Sequence, residues 1–315
     1  METSRARSAA QAGARSGIAG ANGLRVGWIG AGKMGAPMAR RLLASGAALA
    51  VSEIGAAARA DLSTAGAEVA ADLSVQTGRD IVFATLPHDA ALRAVVQGTD
   101  GAPGLADLLP QGAVFVEMST VSPDCSAEVA ASLAAKGIRY VRAPVSGSTT
   151  TAEQGLLTVL ASGDAAGWDD ALPLVKAFSN KQFFLGPGEE ARYMKLVLNT
   201  LVGANAAIAA EALSLGASGG LSPAAMIEVI NESAVSSPLF RYKSAMIVSG
   251  DYTPAFTVQQ MIKDFTLISE AGRAKGVPLM TAGLILELYR AAANAGLDQD
   301  DFFALIKWQS RISAQ

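Results

Sequence analysis

The sequence is almost without histidine and cysteine: His88 and Cys125 are the only ones in 315 residues. A single cysteine rules out an intrachain disulfide and fits a reducing, cytoplasmic setting. One cysteine with one histidine cannot build a zinc site of the usual Cys/His kind, and no cluster of acids points to a magnesium site, so no metal is expected. Charge of either sign is also scarce. Charged residues make up 17%, and 25 Lys and Arg stand against 28 Asp and Glu, a net charge of −3. The basic stripe of a nucleic-acid binder is therefore missing. No apolar leader segment marks residues 1–23, which are rich in Ala, Arg, Ser and Gly. That stretch reads as an irregular extension, with an Arg-rich organelle-targeting peptide as the alternative. The longest apolar run, after Tyr193, is broken by Lys195, Asn199 and Asn205, which argues against a membrane span.

Two familiar catalytic layouts are missing too. Four positions after Tyr140, Tyr193, Tyr242, Tyr252 and Tyr289 stand Pro144, Val197, Met246, Phe256 and Ala293, so no Tyr-x-x-x-Lys pair exists. Ser146 lacks a G-x-S-x-G setting, and only His88 could serve it as a base. His88, just after Pro87, reads as a loop residue.

What is present is half hydrophobic residues, with 32 glycines, arranged in two styles. Between residues 24 and 187, short β-branched runs alternate with Ala/Leu-rich stretches. Strands are expected at 25–29, 48–52, 80–86, 113–118, 138–141, 156–162 and 181–186, and helices include 33–44 and one around 56–64. Alternation of this kind gives a mainly parallel, doubly wound sheet covered on both faces. After residue 188 only helices are expected, running from 189 to about 216 and then from 222, 257, 278 and 298. The reading is an α/β protein: a Rossmann-type domain over 24–187 and an all-helical domain over 188–315, joined by a long interdomain helix.

GWIGAGKMG holds Gly30-x-Gly32-x-x-Gly35 between the first strand and the first helix. Glycine spacing alone fits either a tight turn or a dinucleotide loop. In this position, Gly30 would permit the sharp turn, Gly32 the approach of a pyrophosphate and Gly35 close packing of helix on strand. Ala31, Lys33 and Met34 complete the loop. Glu53 follows Gly30 by 23 residues at the end of the second strand, where an acid accepts from ribose hydroxyls and repels a 2′-phosphate. NAD is thus favoured over NADP; Arg59 is the nearest cation. Hydride transfer at a carbinol also needs a proton acceptor. Lys195 lies on a helix apolar nearly all round, with Asn199 one turn on. It is either a desolvated acid/base or a lysine reaching the surface from the helix edge.

GWIGAGKMGAPMARRLLASG, EMSTVSP, APVSGSTTTAEQG, GPGEEARYMKLVLN and MIKDFTL occur in this order. Together they resemble the β-hydroxyacid dehydrogenase family of the 3-hydroxyisobutyrate dehydrogenase type, over about residues 24–307. The resemblance implies a homodimeric or homotetrameric NAD-dependent oxidoreductase acting on a small 3-hydroxy acid or its aldehyde or keto acid. It implies Lys195 as acid/base and Asn199 as the substrate-orienting residue. Ser146, Gly147 and the N–H of Ser148 would hold the substrate carboxylate. Leu86, Pro87 and Thr120 would border the cofactor, and Lys263 would close over it. Ser148, Leu198 and Phe303 depart from the Gly, Asn and Ser usual at those positions. Phe303 is expected to make its part of the pocket apolar. An imine reductase of the same architecture usually carries Asp or Tyr in place of Lys195. A non-catalytic, nicotinamide-bound relative typically loses the lysine.

Overall fold

In the computed structural model, which describes residues 23–99 and 101–313, the β-branched runs and their Ala/Leu-rich neighbours alternate as strands and helices. The expected irregular stretch at 1–23 lies outside these residues except for Gly23. In chain order the first half contains β1 (Val26–Ile29), α1 (Gly35–Ala44), β2 (Leu49–Ser52), α2 (Ala56–Thr64), β3 (Glu68–Ala70) and β4 (Ile81–Ala84). It continues with α3 (Asp89–Gln97), α4 (Leu105–Leu108), β5 (Val114–Glu117), α5 (Pro123–Ala134), β6 (Arg139–Arg142) and β7 (Val145–Ser146). Next come α6 (Thr149–Gln154), β8 (Leu157–Gly163), α7 (Ala165–Val175) and β9 (Ser179–Phe184).

The second half is helical: α8 (Glu190–Ser218), α9 (Pro223–Glu232), α10 (Pro238–Ser249), α11 (Val258–Ala274), α12 (Met280–Ala292) and α13 (Leu305–Ser313). Among the described residues, only an isolated bridge between Thr257 and Asp301 adds extended pairing there. The short strands β3 and β7 carry too few residues to show an alternation in the sequence. α1 starts at Gly35 rather than residue 33, and Ser237 caps a separate α10. No helix starts at 298. Asp301 accepts from the Phe303 N–H at 3.1 Å and from the Lys243 ammonium at 2.7 Å, holding that stretch as a turn ahead of α13.

β3, β2, β1, β4, β5 and β6 lie side by side in that order, all parallel. β8 runs antiparallel beside β6 and β7, and β9 pairs with its other edge. Ile29 is level with Ser52 and Ala84, and Ala84 with Glu117. The loops after β1, β2, β4 and β5 therefore leave along one edge, the carboxyl edge where ligands bind in doubly wound sheets. On one face of the sheet Trp28 stacks on Phe83 (centroids 5.5 Å apart), with Phe178 edge-on to both. On the other face Phe115 stacks on Tyr140.

α8 is long and apolar enough to cross a membrane by composition, but Ala206, Ala210 and Leu213 on its buried face belong to a core shared with α11, α12 and α13. The approach of α8 to α11 depends on Gly203. A Cβ there would stand 2.2 Å from Phe265 Cε2 and 3.1 Å from Met261 Sδ. Both neighbours are buried and cannot swing aside. Gly203→Ala gains about 1 kcal/mol of helix propensity. Forcing a methyl into a filled core costs about 1–3 kcal/mol or more, so the clash prevails. Urea unfolding should show net destabilisation; a rise in midpoint would mean the two helices can part.

Candidate active site

The loop after β1 has the backbone its glycines require. Gly30 adopts φ +81°, and a Cβ there would lie 2.3 Å from the Thr85 carbonyl. A Cβ on Gly35 would strike the Gly30 carbonyl oxygen at 2.1 Å, whereas one on Gly32 would project into open space. Gly32 is thus the bare point of the loop, flanked by exposed Lys33 and half-buried Met34. No side chain caps α1. In its first turn the Ala36 N–H is spent on the Gly32 carbonyl at 3.0 Å and Pro37 has none, so the Gly35 N–H is the one that faces the loop, where a helix start suits an anion such as a pyrophosphate. Glu53 reaches the same loop: one carboxylate oxygen accepts from the Ala31 N–H at 2.5 Å, the other from the Gly55 N–H at 2.6 Å. Each oxygen keeps a second lone pair for a ribose hydroxyl. Arg59 turns its guanidinium to the Glu53 and Ile54 carbonyls, both at 2.7 Å, bracing the end of β2. The donors, the bare glycine and the acid fit a dinucleotide.

Further along the edge, the Leu86 N–H donates to Ser119 Oγ at 2.6 Å, tying the loops after β4 and β5 together. Lys263, from α11, spans the gap between the two halves of the chain. Its ammonium donates to the Thr120 carbonyl at 2.8 Å and lies 3.5 Å from the Pro87 carbonyl. Asp264, beside it in sequence, is buried. It accepts from Asn199 Nδ2 at 2.5 Å and sits 3.2 Å from Lys263 Nζ. Its Oδ1 has no hydrogen bond of good geometry, so the ion pair with Lys263 is electrostatic contact only.

Lys195 is on α8, partly buried, one turn before Asn199. Burial pushes its pKa below the ordinary 10.5; Asp264 pulls it back up and Lys263 pushes it further down. Burial also lifts the Cys125 thiol to about 12, which makes it an inert core residue. His88 is exposed and caps α3, its Nδ1 accepting from the Ala91 N–H at 3.1 Å.

Two sequence expectations are corrected. Ser148 caps α6, and its N–H donates to Thr151 Oγ1 at 2.7 Å, so that donor is spent within the loop rather than free for a carboxylate. Ser146 and Gly147 remain partly or fully exposed there, with Gly147 at φ +144°. Phe303 is fully buried in the helical core, edge-on to Phe240 and Phe302, rather than on an open surface. A cavity of about 390 Å³ beside α10, lined by Tyr242, Lys243, Met246 and Asp251 among others, contains none of these site residues. Sequence reasoning passed over Asp264, although it stands inside the MIKDFTL motif. It also passed over the buried contact of Arg192 with Glu117, since 75 positions separate the two.

A dinucleotide-binding sheet joined to a helical domain that carries a desolvated lysine defines a nicotinamide-dependent oxidoreductase. Residues 25–186 match the family described as the NAD binding domain of 6-phosphogluconate dehydrogenase, and residues 190–309 the NAD-binding family of NADP-dependent 3-hydroxyisobutyrate dehydrogenase. The chain is 34% identical to 2-(hydroxymethyl)glutarate dehydrogenase of Eubacterium barkeri, across 91% of this chain and 95% of that one. It is 32% identical to the NAD-dependent L-serine dehydrogenase of Pseudomonas aeruginosa, across 90% and 97%. The crystal structure of 3-hydroxyisobutyrate dehydrogenase from Salmonella typhimurium superposes with a TM-score of 0.82 at 31% identity, covering 90% of this chain and 99% of that one. The chain belongs to the β-hydroxyacid dehydrogenase family, is an NAD-linked enzyme and has the fold of its 3-hydroxyisobutyrate dehydrogenase branch.

A carboxylate held on the dinucleotide loop, as that of Glu53 is, would repel a 2′-phosphate. NAD should therefore exceed NADP by at least tenfold in kcat/KM, about 1.4 kcal/mol. Glu53→Gln removes the repelling charge and keeps one acceptor, so the ratio should shrink several-fold. Steady-state kinetics with both cofactors decide it: equal use of NADP by the wild type would hand control of the site to Arg59.

Proposed function

We propose that the protein interconverts a 3-hydroxy acid and its carbonyl form with Lys195 as general acid/base. The observation that carries this reading is the isolation of Lys195. Of the cations at the junction, Arg142, Arg192 and Lys263 are engaged with carbonyls and carboxylates. Lys195 alone has no hydrogen-bond or ion-pair partner among the described residues, while burial drives it toward the neutral amine. A neutral amine takes the hydroxyl proton as the carbinol C–H electrons leave, and an ammonium returns it in reverse. A nicotinamide, when bound, would supply the hydride chemistry.

Asn199 is held by its amide nitrogen to Asp264. Its carbonyl oxygen is thereby directed to accept from the substrate hydroxyl and hold it toward Lys195. The Ser146 hydroxyl and the Gly147 N–H take the substrate carboxylate, without the Ser148 N–H. Leu86, Pro87 and Thr120 border the nicotinamide half of the cofactor, and Lys263 closes over it. Relatives acting on 2-(hydroxymethyl)glutarate and L-serine support a small carboxylate-bearing substrate. We assign the cofactor half to residues 24–187, the helical half to 188–315, and the protein to the cytoplasm.

Self-association belongs to this reading as well. Val197, Leu201, Ile208 and Leu215 are 51%, 57%, 61% and 75% exposed and fall on one side of α8. We assign this stripe to a homodimer or homotetramer contact. Leu201→Glu with Ile208→Glu should lower the mass seen by sedimentation to that of the monomer, and an unchanged mass would place the contact elsewhere.

Lys195→Met should lower kcat by at least about 10²-fold while NAD still binds. Oxidation needs the neutral amine. Its rate should therefore rise with pH through an inflection below 10.5, the ordinary lysine value, and reduction should fall over the same range. A panel of 3-hydroxy acids assayed in both directions tests this. Near-normal turnover in Lys195→Met would mean the proton travels another way.

A further inference from the structure

Arg192 precedes Lys195 by three residues on α8, so the two side chains leave the same side of the helix. It is 1% exposed and crosses from the helical half into the carboxyl edge of the sheet. Its Nη2 pairs with the carboxylate of Glu117, itself wholly buried at the end of β5, and donates to the Tyr140 hydroxyl at 3.0 Å. Its Nε reaches Ser126 Oγ at 3.3 Å. Its Nη1 does something different: it donates to the main-chain carbonyl of Ser119 at 2.8 Å. The other oxygen of Glu117 accepts from the Ser119 N–H at 2.8 Å. Ser119 is thus gripped at both its N–H and its C=O by one ion pair. Its hydroxyl in turn receives the Leu86 N–H.

We propose that Arg192 is a positioning residue for hydride transfer. It fixes Ser119, and through Ser119 the Leu86–Pro87 and Thr120 border of the cofactor, at a set distance from the Lys195 amine one turn away. The proposal rests on the reading of Lys195 as the proton-transfer group. Loss of the guanidinium's reach, with the charge kept, separates this role from simple scaffolding. A lysine at 192 keeps the charge opposite Glu117 but has one nitrogen where arginine has three, and no planar fork to hold a carboxylate and a carbonyl together.

The test compares Arg192→Lys, Ser119→Ala and the double variant with the wild type. It measures thermal unfolding, NAD affinity by titration calorimetry, and kcat at saturating NAD. Arg192→Lys should still unfold cooperatively, but bind NAD about fivefold more weakly and turn over about tenfold more slowly. Ser119→Ala should weaken NAD binding by a similar factor. The double variant should be little worse than either single one, because both act through the same residue. Wild-type affinity and kcat in Arg192→Lys would overturn the proposal. So would losses that multiply in the double variant. If Arg192→Lys does not fold, Ser119→Ala decides alone: NAD binding weakened at least threefold supports the role, and unchanged binding removes it. Failure of the Lys195 reading would show separately, as retained turnover in Lys195→Met with these affinities still shifted.

Discussion

Beside the Arg142–Glu189 pair, three further cations meet where α8 and α11 approach the carboxyl edge of the sheet, and two carboxylates are there to receive them. Glu117 is taken up by Arg192. Asp264 is left to face both Lys263, at 3.2 Å, and the field of Lys195. One positive charge is in excess in a place where water is scarce, and an unpaired buried charge is costly. An arginine cannot shed its proton, whereas a lysine can. Of the two lysines, Lys263 is a third exposed and has a carbonyl to donate to, so the burden falls on Lys195. An incoming carboxylate would restore the balance. On the proposed reading, acid/base function at Lys195 and preference for an anionic substrate would share one electrostatic origin.

α8 turns this constraint into geometry. Glu189, Arg192, Lys195, Asn199 and Gly203 follow one another at three- and four-residue intervals, and so share a side of the helix. Glu189 pairs with Arg142 at the end of β6, and Arg192 with Glu117 at the end of β5. Lys195 is left free, Asn199 meets Asp264, and Gly203 lets α11 come close enough for that meeting. The first turns of the helix are bonded to the sheet and the later turns to the helical core. Lys195 sits between the two anchorages.

Local signals made much of this legible beforehand. The glycine loop, the acid at the end of the second strand and the lone lysine of an apolar helix each depend on residues near in sequence. What escaped depends on partners far apart. Nothing around residue 117 announces Arg192. Asp264 was visible within its motif, but its burial against Asn199 was not. Ser148 shows how a resemblance can mislead at a single atom: the loop matches, yet Thr151 captures the N–H that the match had reserved for substrate. Phe303 erred for a similar reason. A large apolar residue near an expected pocket looks like a lining, but it satisfies the helical core just as well and does so here.

The Arg192–Glu117 pair cannot be justified by stability. Replacing a buried ion pair with well-packed apolar side chains is often neutral or stabilising, by about 1–4 kcal/mol, although breaking one partner alone is costly. What an apolar contact lacks is direction. Packed methyl groups tolerate sliding by a fraction of an ångström, while a planar guanidinium holds its acceptors along fixed N–H axes. Here those axes end on a carboxylate and on the carbonyl two residues later. Lys263, gripping the very next carbonyl from α11, is partly exposed and has a single flexible ammonium. Successive carbonyls of one loop are therefore held by a rigid, buried cation and by a looser, accessible one. Burial thus separates a fixed contact from an accessible one on neighbouring residues of the same loop.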